Sequence, residues 1–366
     1  MIRIVAGLAL LPVSVFAQAR ETALPKPLRL AIAGLAHGHV ASFLHTAKSR
    51  ADVEIVGVFD TDPALTASYA KTEALAPGLL FNDLAAMLDR VKPEAVATFT
   101  PTFDHRAVVE ACARRHIPVM MEKPLAVDMV QSRAIQKAAR DSGIPVMVNY
   151  ETTWYKSHAE IWKVFKEQKA AGAIRKMAAM DGHQGPKEIN VQPEFFAWLT
   201  DPVKNGGGAL FDFGCYGANL MTWLMDNQRP LAVAAIAQTN KPAIYPRVDD
   251  EATVLLQYPQ AQGIIQASWN WPASRKDLEV YGETGYAIAT GSDNLRVRLP
   301  GQREETRKLA DLPPAERDSI GYFSGVARGQ YKPSGLNSLE NNVIVVEILE
   351  AARESVRTGR RIALPK

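Results

Sequence analysis

Leu28-Arg29-Leu30-Ala31-Ile32-Ala33 is a short apolar run that stops at Gly34-Leu35-Ala36-His37-Gly38-His39, and Val40 to Ser49 follows with helical spacing. A strand that ends on glycine and feeds a helix is the opening unit of a nucleotide-binding α/β sheet. The alternation continues downstream. Val53 to Phe59 reads as a strand closing on Asp60, Pro63 to Thr72 as a helix with proline at its start, and Asn82-Asp83 as the cap of a helix reaching Arg90. Ala95 to Phe99, Ile117 to Met121 and Pro145 to Val148 read as strands, with helices over Asp104 to Arg115 and Asp128 to Asp141 between them. Strands separated by helices of about ten residues imply right-handed crossovers and a parallel sheet. The first half, residues 26–149, is therefore expected to be a doubly wound Rossmann-type domain.

Upstream, Met1-Ile2-Arg3 carries one positive charge, Ile4 to Phe16 is an apolar run, and Ala17-Gln18-Ala19 is a small-x-small cleavage site. This layout predicts a signal peptide over residues 1–19 and a mature start near Arg20. The other reading is a membrane anchor, for which the run is short of the ~20 residues that span a bilayer. No cysteine follows to take a lipid, and no Arg-Arg pair precedes the run. The expected location is periplasmic or secreted, with no membrane association after cleavage.

Downstream the pattern changes. A helix is expected over Ser157 to Lys169, and the glycine-opened segment Gly206 to Met225 runs into another. Strand candidates follow at Ala232–Gln238, Ala252–Tyr258, Ile264–Trp271, Leu278–Tyr281, Tyr286–Thr290 and Leu295–Leu299, punctuated by Gly and Pro as in antiparallel hairpins. An amphipathic helix over 338–357 closes the chain. Residues 150–366 are thus expected to form an α+β domain with one broad, mostly antiparallel open sheet.

Composition excludes several classes. The 366 residues are 47% hydrophobic and 22% charged, enough for two ordinary cores and too apolar for disorder. Lys+Arg number 42 against 39 Asp+Glu, a net +3 with no dense basic run, so no nucleic-acid partner is expected. Two cysteines, Cys112 and Cys215, make neither a disulfide framework nor a cysteine zinc site. His37 and His39 sit two apart, but the sequence places no third ligand beside them, and no metal is expected.

Ligands of a doubly wound sheet sit outside the carboxyl ends of its strands. The first such end resembles G-x-G-x-x-G, with Gly34 in the first place, Ala36 in the second and His39 in the third. Asp60, closing the second strand, is placed to accept hydrogen bonds from an adenosine ribose and to repel a 2′-phosphate, which favours NAD over NADP. Asp60-Thr61-Asp62-Pro63 is also good turn and cap chemistry.

Two further segments complete the pattern. Met121-Glu122-Lys123-Pro124-Leu125 ends a strand, and Gly206-Gly207-Gly208-Ala209-Leu210-Phe211-Asp212-Phe213-Gly214-Cys215-Tyr216 lies in the second half. Taken in order with Gly34, Asp60, Thr100-Pro101 and His105, they make the chain resemble the Gfo/Idh/MocA oxidoreductases over essentially its whole mature length. The resemblance implies a nicotinamide cofactor at the domain cleft, held by residues 34 and 36–39, Asp60, Thr100, Pro101, His105, Glu122, Lys123 and Pro124. It also implies a carbohydrate substrate and homo-oligomers formed through the C-terminal sheet. Lys123, Asp212 and Tyr216 match the family's catalytic positions, Tyr216 being the tyrosine variant of a His/Tyr site. The loop departs from the family's glycine pattern at Ala36 and His39.

Oxidising a carbinol needs a hydride acceptor and a base for the hydroxyl proton. A tyrosine with its ordinary pKa of about 10 is a poor base, so the expectation is that the Lys123 ammonium lowers Tyr216 toward phenolate. If residues 212–216 are helical, Asp212 shares a face with Tyr216 and either grips a substrate hydroxyl or orients Lys123. Asn149, Tyr150, Trp154 and Tyr155 are candidates to line a sugar pocket, with interdomain packing as the alternative, and His183 is a candidate to face the same cleft, with a hydrogen-bonded structural histidine as its alternative. The expected activity is hydride transfer at a carbinol carbon of a carbohydrate. Because free NAD is scarce outside the cytoplasm, the cofactor is expected to be retained and reset in each cycle. Two alternatives stand beside it: a glycosidase that uses NAD for oxidation, elimination and re-reduction, and a non-catalytic carbohydrate-binding relative.

Overall fold

The structure, a computed structural model, describes residues 26–365. The expected export segment, residues 1–19, lies outside them. In the first half, strands β1 (Leu28–Ala33), β2 (Val53–Phe59), β3 (Leu80–Phe81), β4 (Ala95–Thr98), β5 (Val119–Glu122) and β6 (Val146–Asn149) alternate with helices α1 (Val40–Lys48), α2 (Pro63–Thr72), α3 (Leu84–Val91), α4 (His105–Ala113) and α5 (Met129–Ser142). The helices begin where polar caps are available. Asp83 accepts from Ala86 N at 2.7 Å and Asp128 from Gln131 N at 2.8 Å, contacts worth about 1 kcal/mol each. All pairings are parallel, in the order β3-β2-β1-β4-β5-β6. Strand order reverses between β1 and β4, which opens a crevice at their carboxyl ends. Gly34 turns the chain there with φ +90°. A Cβ at this position would lie 2.5 Å from Thr100 Cγ2, so only glycine fits.

The second half continues through α6 (Lys156–Trp162), β7 (Ile174–Gly182), α7 (Pro193–Leu199), α8 (Ala209–Asp212) and α9 (Gly214–Leu224). Then come β8 (Ala232–Gln238), β9 (Glu251–Gln257), β10 (Gln262–Ser268), β11 (Arg275–Gly282), β12 (Tyr286–Thr290), β13 (Leu295–Arg298) and β14 (Glu305–Thr306). Helices α10 (Ser319–Ala327) and α11 (Leu339–Thr358) and strand β15 (Ile362–Ala363) close the chain. The nine strands run β14-β13-β12-β11-β7-β10-β9-β8-β15, antiparallel except for the central β7/β10 pair. The fold is thus α/β, a Rossmann sheet joined to a mostly antiparallel α+β sheet.

Two differences from the sequence reading have physical reasons. The helix expected to run to Lys169 stops at Trp162, and residues 163–167 form a wider turn in which Gln168 N reaches back to Lys163 O. Helix α10 belongs by sequence to the second half, yet Ile320, Tyr322, Phe323 and Val326 share a core with Leu28, Leu30 and Phe43 of the first. Arg50, bonded to Asp318 at 3.0 Å, pins its start. No described helix is long and apolar enough to cross a membrane.

Candidate active site

Strand β5 carries Glu122-Lys123-Pro124 to the carboxyl edge of the parallel sheet, where the Lys123–Pro124 peptide is cis. Lys123 Nζ donates to Asp212 Oδ1 at 2.5 Å and to the Asp212 carbonyl at 2.9 Å, while Trp269 Nε1 donates to Oδ2 at 2.9 Å. Both partners are buried, Lys123 to 6% exposure and Asp212 to 4%. Burial by itself pushes the lysine pKa down, but the Asp212 carboxylate more than reverses this and holds Lys123 above the usual lysine value. Burial likewise opposes charge on Asp212, and Lys123 wins, holding the carboxyl below its ordinary range. The pair is an ammonium and a carboxylate. Of three ammonium protons, two are committed to Asp212 and one is left for a ligand. Asp212 is placed by the triple-glycine segment. A Cβ on Gly208 would sit 1.8 Å from Asp249 O, and its absence lets the Asp249 carboxylate accept from Gly208 N at 2.9 Å and Leu210 N at 2.7 Å.

The helix expected across 212–216 is broken at Phe213, so Asp212 ends α8 and Tyr216 starts the first turns of α9. The two converge on Lys123 instead of on each other. The Tyr216 ring lies 5.0 Å from Lys123 Nζ and 5.3 Å from Lys276 Nζ, with Tyr150 packed edge-on at 5.4 Å. The phenolate expectation is corrected here. Burial, followed by the charges of Glu151, Cys215, Asp212 and Glu122, lifts the Tyr216 pKa well above its ordinary value. The ammonium groups stand over the ring, and their charges are already answered, Lys123 by Asp212 and Lys276 by Glu151 at 2.5 Å. Tyr216 is a neutral phenol.

At the glycine loop, Asp60 sits where the sequence placed it, at the end of β2. Its oxygens, however, accept from Leu35 N at 2.7 Å and Asp62 N at 2.8 Å, so the turn chemistry is real and ribose contacts would share those oxygens. The N–H groups of Leu35, His37, His39 and Val40 are bonded to Asp60, Phe99 O, His37 Nδ1 and His37 O. Those of Ala36 and Gly38 have no such partner among the described residues and are free to face a pyrophosphate. Helix α7 leans over this loop from the second half. Trp198 Nε1 donates to Ala36 O at 2.9 Å, and Phe195 packs where a Gly38 Cβ would be. The loop therefore fits a dinucleotide through two N–H groups and the Asp60 carboxylate. Thr100 packs against Gly34, and its hydroxyl meets Thr98 at 3.1 Å; Pro101 follows at the turn into residues 102–104. His105 is buried, with burial taking its pKa down to about 4, and its Nδ1 lies 3.3 Å from Leu125 O. It braces the loop after Lys123 from behind.

The expected pocket residues divide. Trp154 Nε1 donates to Asn149 Oδ1 at 3.0 Å and Asn149 Nδ2 to Glu122 Oε1 at 3.1 Å, a polar chain that ends on His39 Nδ1, 3.2 Å from Glu122 Oε2. Tyr155 is half-buried and donates to Glu151 at 2.5 Å. His183 stands edge-on to Phe213 at 4.9 Å, its Nδ1 accepting from Gly185 N, and burial lowers its pKa. Tyr150 is fully buried and packs edge-on against Tyr216, which is the packing alternative.

The sequence reading also missed Glu122 as a neighbour of both loop histidines. His37, His39 and Glu122 offer ligand atoms within 4.8 Å of one another, so Glu122 is a third candidate ligand beside the two histidines. Here they form a hydrogen-bonded set. His37 is buried and neutral, since burial pushes its pKa well down, and its Nδ1 accepts from His39 N, so the proton is on Nε2. Burial opposes charge on Glu122 as well, but His39 outweighs it and holds the carboxyl at about 2. Also missed were Lys276, Glu151 and Asp181. Asp181 lies on β7, is fully buried with neither oxygen bonded among the described residues, and burial drives its pKa far up. It points to the same side of the sheet as Lys276, its register partner on β11. A β7 alternation of Met177, Ala179 and Asp181 was the available signal.

Comparison with known proteins agrees with this architecture. Residues 28–150 match the oxidoreductase family, NAD-binding Rossmann fold, and residues 163–288 match the GFO/IDH/MocA C-terminal domain. Trans-1,2-dihydrobenzene-1,2-diol dehydrogenase of Oryctolagus cuniculus is 25% identical over 88% of this chain and 96% of its own length. D-apiose dehydrogenase of Paraburkholderia graminis is 24% identical over 88% of this chain and 86% of its own. Among solved structures, aldose-aldose oxidoreductase from Caulobacter crescentus in complex with glycerol superimposes with a TM-score of 0.77 at 21% identity, covering 92% of this chain and 100% of that one. An inositol dehydrogenase homolog from Azotobacter vinelandii in complex with NAD+ gives 0.77 at 18%, covering 93% and 98%. With an NAD-binding Rossmann domain and its C-terminal partner domain both matched in order, the chain belongs to the Gfo/Idh/MocA family of nicotinamide-dependent oxidoreductases acting on CH–OH groups.

Proposed function

We propose that this enzyme interconverts a carbinol and a carbonyl on a sugar or related carbohydrate, with Lys123 and Tyr216 managing the proton on the reacting oxygen. The observation that carries the reading is the buried Lys123–Asp212 pair closed against the Tyr216 ring at the carboxyl edge of the NAD-binding sheet. Relatives named for D-apiose and for aldoses support the substrate class. Asp60 and the Ala36 and Gly38 N–H groups would hold the ribose and pyrophosphate of NAD, and Glu122, Lys123 and Pro124 the nicotinamide end. NAD supplies the hydride acceptor or donor.

The residues then have distinct duties. Asp212 is a positioning residue: it fixes Lys123 and keeps it charged. Lys123 presents its remaining N–H to the substrate oxygen and stabilises negative charge there. Tyr216 is a second donor. Both carry their protons at rest, so the site is set to protonate an alkoxide, the reducing direction. Oxidation requires one of them to lose a proton first, and its rate should rise with pH.

The test is turnover with NAD or NADH over a panel of neutral aldoses, ketoses and polyols, read by nicotinamide absorbance. Lys123→Met should bind NAD and lose roughly 10² to 10⁴ in the chemical step. No turnover on any member of the panel, or a Lys123→Met enzyme as fast as the parent, refutes the reading.

Residues 1–19 support export, and a retained cofactor then follows. Sequencing of exported protein should find its start near Arg20. Exposed Leu255 and Ile264, cross-strand partners on β9 and β10, and Ile236 on β8 support self-association through the outer face of the large sheet.

A further inference from the structure

A cavity of about 800 Å³ lies between α6, the carboxyl end of α9, and the segments 310–316 and 334–337. Neither Lys123, Asp212 nor Tyr216 lines it. Trp223 and Tyr216 lie seven residues apart on α9, so the two places are separated by about 10 Å along the helix axis.

The cavity has aromatic walls whose positions are already set. Trp162 and Trp223 are stacked at 4.5 Å with 14° between their planes, and Trp154 and Tyr322 form a second cluster at 5.7 Å. Trp154 is pinned by its bond to Asn149. Rigid aromatic surface of this kind offers apolar faces without an ordering cost.

Its polar lining includes buried groups left without a partner among the described residues. His158 is buried and lines the cavity. Its Nδ1 lies 2.9 Å from Thr152 O, and a carbonyl can only accept, so Nδ1 holds the proton and Nε2 offers a lone pair. Burial takes its pKa down to about 4, so the ring stays neutral. His158 Nε2 and Asn337 Oδ1, both acceptors, and the Thr153 hydroxyl are buried and have no partner among the described residues. An unmet buried polar group costs about 1–3 kcal/mol, so two acceptors and a hydroxyl beside one cavity favour a ligand that brings O–H groups.

Charge narrows the class. Five carboxylates line the cavity, Glu160, Glu167, Asp226, Asp311 and Glu316, against two ammonium groups. Both of those are answered, Lys156 by Asp311 at 2.8 Å and Lys163 by Glu160 at 3.5 Å. No cation is left over for a carboxylate or phosphate. A flat C–H face over tryptophan, several hydroxyl donors and no negative charge describe a neutral sugar unit.

We infer that this cavity is a second saccharide site, which binds a neutral sugar unit and excludes uronates and nucleotide sugars. The inference extends the carbohydrate reading of the reaction site and rests on it for the choice of probes. Trp154 is the wall it shares with a smaller cavity of about 380 Å³ that holds His39, Glu122 and Asn149, so an extended ligand would pass beside Trp154 toward the cofactor loop.

Calorimetric titration with D-glucose, maltose, cellobiose and D-glucuronate tests it. At least one neutral sugar should bind saturably and glucuronate should not. Ala159→Phe fills the cavity from α6 and should weaken that binding at least tenfold; Leu312→Trp does so from an irregular segment, should the helix variant fail to fold. His158→Leu, which keeps bulk and loses the acceptor, should also weaken it, and Lys123→Met should leave it unchanged. Survival, in both filling variants, of the neutral-sugar binding that Lys123→Met leaves unchanged, no neutral-sugar binding at all, or equal binding of glucuronate overturns the inference. Binding that is lost on filling, in a protein showing no nicotinamide turnover, would sustain this site while refuting the proposed reaction. Turnover on a monosaccharide without such binding would do the reverse.

Discussion

Replacing Asp212 with asparagine keeps the side chain's shape and removes the charge that answers Lys123 at 2.5 Å. An ammonium group at 6% exposure then stands among dipoles only. Breaking a buried pair from one side costs about 3–5 kcal/mol unless the survivor gives up its charge. Giving up the proton avoids that cost, so the Lys123 pKa should fall below its ordinary value. Burial already pulls in that direction. The sign of the pH effect follows. In the parent, Lys123 lies above its unfolded value, so its contribution is present below an unfolded pKa of about 10.4 and fades only as pH climbs through the folded one. In Asp212→Asn the order inverts. The unfolded chain binds the extra proton, and stability rises with pH until the unfolded lysine titrates. Measured as the difference from the parent at the same pH, the variant's loss of melting temperature should therefore be larger at pH 6 than at pH 9. The pH at which oxidation gains rate should move down with it. Lys123→Met/Asp212→Leu, which removes both charges and keeps volume, should recover most of the lost stability. Parallel melting curves and an unmoved pH–rate profile in Asp212→Asn would show that the carboxylate does not set the charge of Lys123.

Tyr216→Phe deletes a hydroxyl with no protein partner among the described residues, so melting should change little while the chemical step falls by about 10² to 10⁴; normal turnover would remove Tyr216 from the chemistry. Asp181→Asn should be harmless at pH 5 and stabilising at pH 8. The raised carboxyl keeps its proton in the folded state while the unfolded chain loses it near pH 4, so parental stability drains as pH rises, by up to about 1.4 kcal/mol per unit. Equal pH dependence of melting in parent and Asp181→Asn would mean that the buried carboxyl is charged.

Features governed by local chemistry were readable from residues alone. The βαβ alternation, the strand ending on Gly34, and the caps Asp83 and Asp128 depend on neighbours a few positions away, and β1, β2 and α2 fall where the pattern puts them. The Glu122-Lys123-Pro124 and Gly206–Tyr216 segments identify two parts of one site because their composition is unusual. Helix α10 was invisible as part of the first core because its partners, Leu28 and Phe43, are nearly three hundred residues away, and no periodicity encodes which surface a short apolar helix will cover.

The state of the site's protons was decided by tertiary structure. Lysine near tyrosine in a motif suggests a phenolate. Folding buries the phenol, sets both ammonium groups over its ring, and spends their charges on Asp212 and Glu151, so the tyrosine stays neutral. Glu122, distant in sequence, becomes the partner of His39, and Asp181 becomes a buried acid, because a β5 end and a β7 face meet the loop and the sheet only in three dimensions. Local pattern is enough to place the strands along the chain and the residue types at their ends. Which charges meet, and how much water is left around them, was settled by packing, because electrostatic energy depends on distance and burial and neither is written in the order of residues.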